Sequence, residues 1–173
     1  MFFSVIFVTK KNKTMRITNR HVFFWGSIFS NFYPCVIFKD GETFYSSEQY
    51  FMYKKALCFN DEESASKILS EKNPSICKKY GRKVKNFDTE IWDEVSTEVM
   101  EDALMMKFIQ NKEILKEFLS PKYDNKDFVE ASPYDAIWGI KMDMNDPNVD
   151  DERNWKGENR LGKLLNKVRK KLQ

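Results

Sequence analysis

The fold of this chain is organised around residues 41–56, which read GETFYSSEQYFMYKKA. Ser46 followed three positions later by Gln49 is a capping-box pattern, so we expect a helix that begins near Ser46 or Ser47 and runs to about Phe59. At about 100° per residue, one stripe of this helix combines two charged groups with large apolar side chains, namely Glu48, Phe51, Met52, Lys55 and Phe59. Buried charges are unfavourable unless they are paired or used in chemistry, so the stripe is a candidate active site. The alternative is that both charged groups reach solvent past the aromatic rings.

The segments around this helix predict one compact domain. The chain has 173 residues and 42% hydrophobic content, enough for a single core. Asp40-Gly41 between two short apolar runs predicts a hairpin directly before the helix. Further helices are predicted over about 61–71, 73–81, 88–111 and 112–119, with a strand at 128–131 and an amphipathic helix at the C-terminus. Aromatic residues make up 15% of the chain, which indicates a Phe-rich core or a stacking pocket without choosing between them.

The N-terminal residues stand apart from this domain. Residues 1–14 carry an apolar run followed by three lysines, which reverses the order of a signal peptide. We interpret 1–14 as an N-terminal extension or an edge strand, and 15–173 as the domain. No other run approaches the roughly 18 apolar residues of a membrane span, so we expect no membrane contact.

Composition also limits the chemistry. The formal charge of +3 is too small to indicate a nucleic-acid binder by itself. Cys35, Cys58 and Cys77 form no CxxC pair and predict reduced thiols in a cytoplasmic protein. The single histidine, His21, offers little from which to build a zinc site or a catalytic triad. We therefore expect no metal and no cofactor.

Six motifs in the chain together resemble the YbiA-like, or NADAR, family over about residues 21–172. They are Gly26 with Ser30-Asn31-Phe32-x-Pro34, Phe44-x-Ser46-Ser47-Glu48-Gln49 with Met52 and Lys55-Ala56, Gly81-Arg82 with Val84, Lys107-Phe108-x-Gln110-Asn111, Glu130-Ala131-Ser132-Pro133-x-Asp135-x-x-Trp138-Gly139-Ile140, and Trp155-x-Gly157-x-Asn159-x-Leu161-Gly162. Each motif is weak alone, but six in order are specific. One departure is Lys141, at a position where we expect glycine, and it bears on the shape of the pocket rim.

The resemblance implies an α+β fold, a single mostly helical domain with a small β-hairpin or sheet. It also implies an N-glycosidase that acts on a ribose linked through nitrogen. Two substrate classes are implied for the family: reactive early intermediates of riboflavin synthesis, and guanine bases that carry ADP-ribose. The expected partner is therefore a nucleotide-like small molecule or an ADP-ribosylated guanine, free or in nucleic acid. The sequence does not choose between the classes, and it does not determine the oligomeric state.

Both substrate classes contain a ribose C1 bonded to an exocyclic amine, and such a bond can break by two routes. In the first, an oxocarbenium ion forms while one carboxylate stabilises it or activates water; Glu48, with Asp135 as the second carboxylate, fits this route. In the second, the sugar opens to an imine that a neutral lysine attacks, and Lys55 on its aromatic stripe fits that route. The stripe favours an essential Lys55.

The predicted substrate-binding residues are Asn31, Phe32, Ser47, Arg82, Trp138 and Asn159. Trp138 and Phe32 would stack on the base, with core packing as the alternative for Trp138. The polar residues would bond ribose hydroxyls or phosphate. For Arg82 and Asn159 the alternatives are a loop salt bridge and a helix N-cap.

Two functions from other classes compete with catalysis. A binding module could read ADP-ribose in the same pocket without cleaving it, although recognition alone rarely needs both Glu48 and Lys55 on one buried stripe. A nucleic-acid-binding domain could use the basic run at 169–171, but a run that short at a helix end is usually solvated. Catalysis is therefore the preferred interpretation.

Overall fold

A computed structural model describes residues 14–173. The segment that we interpret as an extension or edge strand, 1–14, lies outside the described residues except for Thr14. The fold is α+β, as predicted, with five short strands and six helices in the described part. The strands are β1 (Met15–Ile17), β2 (His21–Phe24), β3 (Ile37–Lys39), β4 (Glu42–Phe44) and β5 (Asp127–Glu130). The helices are α1 (Ser47–Cys58), α2 (Glu62–Leu69), α3 (Pro74–Gly81), α4 (Thr89–Gln110), α5 (Lys112–Phe118) and α6 (Arg160–Leu172).

The strands form two small sheets. In the first, β2 lies between β1, which is antiparallel to it, and β5, which is parallel. The second is the hairpin β3–β4, in which Lys39 pairs with Glu42. Asp40 and Gly41 between them have φ values of 53° and 85°, the left-handed backbone that a two-residue hairpin turn requires. The predicted hairpin is confirmed.

Side chains from the end of α4 cover the outer edge of β3. Gln110 accepts a hydrogen bond from the Phe38 N–H and donates one to the Phe38 carbonyl, and Asn111 does the same for Val36. Two amide side chains thus take the place of a further strand, which protects the edge from pairing with another chain. This contact explains the Gln110-Asn111 motif and fixes the hairpin that leads into α1.

Local hydrogen bonds set the start of α1. The Ser46 hydroxyl accepts from the Gln49 N–H at 3.1 Å, as the capping pattern predicts. The side-chain oxygen of Gln49 accepts a hydrogen bond from the Tyr45 N–H at 2.6 Å. Its side-chain nitrogen donates to three backbone carbonyls at and just after the end of α2, those of Ile68, Leu69 and Glu71. Gln49 therefore caps its own helix and also holds α2 against it.

Most of the phenylalanines serve the core. Phe29 is fully buried and its ring contacts Phe24, Phe118, Tyr123 and Phe128 at centroid distances of 4.8 to 5.9 Å. Edge-to-face contacts of this kind add to the free energy gained from burying the rings. The high aromatic content is thus explained mainly by packing. In the part of the chain that the structure describes, no helix has the length and apolar content that a membrane crossing requires.

Candidate active site

A pocket of about 330 Å³ lies where α1, α3 and the loop after β5 meet. It is lined by Glu48, Phe51, Met52, Lys78, Arg82, Tyr134, Asp135, Ala136, Ile137 and Trp138. Other cavities on the surface are larger, but this one has a buried carboxyl in its wall. Four of the nine residues predicted for the site line it, namely Glu48, Arg82, Asp135 and Trp138.

Glu48 is the buried carboxyl of this pocket, with only 4% of its surface exposed. Burial raises its pKa to about 7, and the negative charge of Asp135 acts in the same direction. The positive charges of Lys78, Arg82 and Lys55 oppose the rise without cancelling it. A carboxyl with a pKa near neutrality can both accept and donate a proton at physiological pH, as acid–base catalysis requires.

Three buried oxygens near the start of α1 make no hydrogen bond with other described residues: Asn31 Oδ1, Ser47 Oγ and Glu48 Oε1. The Asn31 carbonyl accepts the Glu48 N–H at 3.0 Å, which joins the loop before β3 to the start of α1. Leaving a buried polar atom without a partner is unfavourable by about 1–3 kcal/mol. Of the three residues, Glu48 lines the pocket, so its Oε1 is the unpaired oxygen that a polar ligand such as a sugar would reach first.

Two cations face the same pocket, Lys78 on α3 and Arg82 directly after its last residue. Lys78 and Arg82 are four residues apart and so lie on one side of the helix. Lys78 Nζ is 3.9 Å from Asp135 Oδ2 and 5.5 Å from the ring centroid of Phe32, which places Phe32 beside the pocket rather than in its lining. The sequence analysis identified Arg82 but not Lys78. The spacing of four before Arg82 is the signal that could have found it.

The close packing of α3 against α1 brings these cations to Glu48. A Cβ on Gly81 would lie 2.0 Å from Met52 Sδ and 3.1 Å from Met52 Cβ. Only glycine fits at this contact without displacing Met52, which itself lines the pocket. Gly81 in the Gly81-Arg82 motif is therefore explained by helix packing rather than by a direct role in binding.

The loop 135–141 forms the opposite wall. Asp135 Oδ1 accepts the N–H groups of Ile137 and Trp138 at 3.0 and 2.9 Å, so the carboxylate shapes the turn that presents Trp138. The Trp138 ring packs edge-on against Phe51, with centroids 5.3 Å apart, and also lines the pocket. Lys141 has a φ of 50°, which explains why glycine was expected there: the left-handed backbone favours it.

A second partly buried carboxyl, that of Glu130, lies close to Glu48 and Asp135. Burial raises its pKa to about 8, and the charges of Asp135 and Glu48 add to the rise. In the sequence, Glu130 stands out only as part of a motif. An apolar strand does not reveal that its last residue turns toward two other carboxyl groups, so this residue was missed.

Lys55 and Asn159 are not among the residues that line the pocket. Lys55 Nζ lies 3.8 Å from the centroid of the Phe87 ring; its pKa is lowered by burial and by Arg82, against the opposing effect of Glu48. Asn159 Oδ1 accepts the Glu130 N–H, and Nδ2 donates to the Phe128 carbonyl. Both ends of this amide thus bind β5, and Asn159 does not cap α6 with its side chain. Its observed role is structural.

One pocket of this α+β domain combines a buried carboxyl whose pKa is near neutral, two cations and a tryptophan. This combination is typical of an enzyme that acts on a sugar or nucleotide. The comparisons with known proteins agree. Residues 23–173 match the NADAR domain. The chain therefore belongs to the NADAR family.

Several relatives cover most of the chain. It is 42% identical over 161 residues to protein irg-1 of Caenorhabditis elegans, covering 84% of this chain and 75% of that one. It is 38% identical over 170 residues to N-glycosidase R617 of Acanthamoeba polyphaga mimivirus, covering 90% and 98%. The solution NMR structure of Escherichia coli YbiA superposes with a TM-score of 0.72 at 29% identity, covering 93% of this chain and 89% of that one.

The raised pKa of Glu48 predicts a pH-dependent effect on stability. In the unfolded chain the carboxyl ionises near 4.5, but in the folded chain near 7, so the folded state binds more protons between these values and loses stability as the pH rises through them. The difference corresponds to about 3 kcal/mol above both values. Glu48→Gln, which stays neutral, should therefore unfold at higher urea concentration than the wild type at pH 9 and at nearly the same concentration at pH 5.

The matched control is Glu98→Gln on the exposed face of α4, which should show no such pH dependence. A constant difference in the free energy of unfolding between Glu48→Gln and the wild type at both pH values would mean that Glu48 ionises normally.

Proposed function

We propose that this NADAR-family protein is an N-glycosidase that hydrolyses the bond between ribose C1 and an exocyclic amine of a pyrimidinone or purine base. The observation that carries the proposal is the buried Glu48 carboxyl with an unpaired Oε1, facing a pocket that also holds cations and a tryptophan. The N-glycosidase name of the R617 relative supports it. The substrate is a riboflavin-pathway intermediate or an ADP-ribosylated guanine.

The proposed reaction uses two carboxyl groups with different proton occupancies. Burial raises the pKa of Glu48 to about 7 and that of Glu130 to about 8, so near neutral pH the pair can hold one carboxylate and one carboxylic acid. We assign the carboxylate to Glu48 because it lines the pocket. Glu48 stabilises the positive charge that develops at C1 and takes a proton from the attacking water. Glu130 donates its proton to the leaving amine. The water oxygen is joined to C1 and the C1–N bond breaks, so that one water proton is on Glu48, the other stays on the new C1 hydroxyl, and the released amine carries the proton from Glu130. Proton exchange with solvent returns Glu48 and Glu130 to their starting states.

The remaining pocket residues bind and orient the substrate. Trp138 would stack on the base, and Phe32 lies close enough to Lys78 to extend that surface. Lys78 and Arg82 would bind phosphate, since charge-assisted hydrogen bonds to phosphate are strong. Asp135, which orders the Trp138 turn and lies 3.9 Å from Lys78, holds this wall in place and sets the local charge.

The ribose would satisfy the unpaired oxygens at the start of α1. Asn31 Oδ1 and Ser47 Oγ can accept hydrogen bonds from sugar hydroxyls, and the Ser47 hydroxyl can also donate one. We propose that these two residues bind the sugar and that Asn159 does not.

The reduced thiols of Cys35, Cys58 and Cys77 are consistent with action in the cytoplasm.

The position of Lys55 favours the oxocarbenium route over the imine route. A lysine that attacks an imine must be neutral, and its lowered pKa helps in that respect. However, Nζ lies over the Phe87 ring, and an aromatic face stabilises the charged ammonium form. Lys55 is thus proposed to act by its charge, within range of Glu48 and Arg82.

Glu48→Gln should lower kcat for base release by at least about a hundredfold, because glutamine keeps the shape of the side chain but cannot accept a proton. The assay follows the released base by chromatography with each candidate substrate. Glu98→Gln, remote on α4, is the control and should retain wild-type kcat. A Glu48→Gln variant with wild-type kcat would show that another group carries the chemistry, and binding of substrate without release by the wild-type protein would favour the binding-module alternative.

A borohydride trap separates the two routes at Lys55. With substrate and borohydride present, we expect no mass increase on Lys55, because the oxocarbenium route forms no reducible imine. Lys55→Arg should keep activity within about tenfold of the wild type, since arginine preserves the positive charge. Lys54→Arg serves as the neighbouring control. A stable adduct on Lys55, together with an inactive Lys55→Arg variant, would establish the imine route instead.

A further inference from the structure

A lysine without exposed surface lies in the core, on the helix α4. Among the described residues Lys107 is the only lysine that is buried. It opens the Lys107-Phe108-x-Gln110-Asn111 motif, in which Gln110 and Asn111 cover β3 and the Phe108 ring stacks on Phe118. Packing therefore accounts for the rest of the motif but not for a charged group in the protein interior.

The position of Lys107 is unfavourable for its charge. Burial lowers the pKa of its amine to about 8, because the ammonium form loses its hydration. An apolar side chain of similar length would fill the same space without this cost. We therefore looked for a contact that requires the amine.

The amine of Lys107 holds a turn in the loop before β3. Its Nζ donates to the Ser30 carbonyl at 2.8 Å, the one hydrogen bond that it makes with other described residues. The same carbonyl accepts the Tyr33 N–H at 3.1 Å, and the Ser30 hydroxyl accepts the Phe32 N–H at 3.2 Å. Lys107 thus links α4 to a tight turn over residues 30–33.

This turn completes the start of α1, where Glu48 lies. The first N–H groups of a helix have no acceptor within the helix and need one from outside. The Ser46 hydroxyl accepts the Gln49 N–H, and the Asn31 carbonyl, in the middle of the turn, accepts the Glu48 N–H. The backbone of Glu48 is therefore held by the turn that Lys107 holds.

Lys107 does not act on the Glu48 carboxyl through its charge. The charged groups that change the pKa of this carboxyl are Lys78, Asp135, Arg82 and Lys55. The hydrogen bond to the Ser30 carbonyl is thus the route by which Lys107 can influence the site.

We propose that Lys107 is a positioning residue of the active site, which holds the turn 30–33 where the Asn31 carbonyl fixes the backbone of Glu48. The proposed sugar contact of the Asn31 side chain depends on the same turn, so the effect on turnover rests on the proposed function. The effect on the Glu48 N–H does not.

The first test measures amide hydrogen exchange by NMR in the wild type and in Lys107→Met. The Glu48 N–H should exchange at least about fivefold faster in the variant, because its acceptor is no longer held in place. The N–H of Val129 in β5 should keep its protection. Lys116→Met, the same substitution at an exposed position of α5, is the matched control and should change neither.

Stability separates positioning from a general structural role. The Ser30 carbonyl keeps the Tyr33 N–H as a partner when Lys107 is replaced, and a buried charge is removed. Lys107→Met should therefore unfold in urea at the same concentration as the wild type or a higher one. A chain that fails to fold, or that unfolds at a lower concentration, would make Lys107 a structural requirement and overturn the proposal.

The second test measures kcat/KM for base release in a double-mutant cycle. Lys107→Met should lower it at least about tenfold, since small displacements of a catalytic group are costly. Combined with Asn31→Ala, the loss should be at least about threefold smaller than the product of the two single losses, because both changes act through one turn. Met100→Ala, which removes a fully buried side chain from α4, is the control, and its effect should multiply with that of Asn31→Ala.

Unchanged exchange of the Glu48 N–H in Lys107→Met would overturn the proposal, as would losses of Lys107→Met and Asn31→Ala that simply multiply. Failure of the proposed function would be distinct from either result. It would show as an absence of base release by the wild-type protein, and the exchange of the Glu48 N–H would then decide the role of Lys107 without any turnover.

Discussion

Burial of the Glu48 carboxyl is the constraint on which the rest of the site depends. The side chain sits in the first turn of α1, where the helix dipole favours negative charge, yet its surroundings raise its pKa to about 7. Desolvation therefore outweighs the dipole and the three nearby cations. Such a balance is useful for catalysis because it leaves the group able to exchange protons near neutral pH, and it lowers the stability of the folded state under those conditions.

Several structural features serve to maintain this arrangement. The Gln49 side chain links α1 to the end of α2 by hydrogen bonds. Because Gly81 has no side chain, α3 packs closely against α1, which brings Lys78 and Arg82 to the pocket. On the other side, the Asn159 amide holds β5, which ends at Glu130. Asn159, which the sequence analysis predicts to bind the substrate, thus makes contacts that hold a wall of the pocket in place.

The sequence predicted the local features of the fold well. The Ser46 cap and the Asp40-Gly41 turn depend on residues within a few positions of each other, and both are confirmed. The site was predicted less completely. Lys78 was missed although it lies four residues before Arg82, because that spacing shows which helix face the two share but not that Asp135, distant in sequence, lies opposite.

The most direct test of this account is a pH titration of the Glu48 carboxyl by carbon-13 NMR, with side-chain-labelled glutamate and the Glu48→Gln variant to assign the signal. The account predicts a midpoint near the pKa of about 7. Under the proposed function, the midpoint should also shift when a substrate occupies the pocket, because that ligand would contact Glu48 and exclude water. A midpoint near 4.5, unchanged by the ligand, would contradict the claim that this carboxyl is buried in the site and poised for proton transfer.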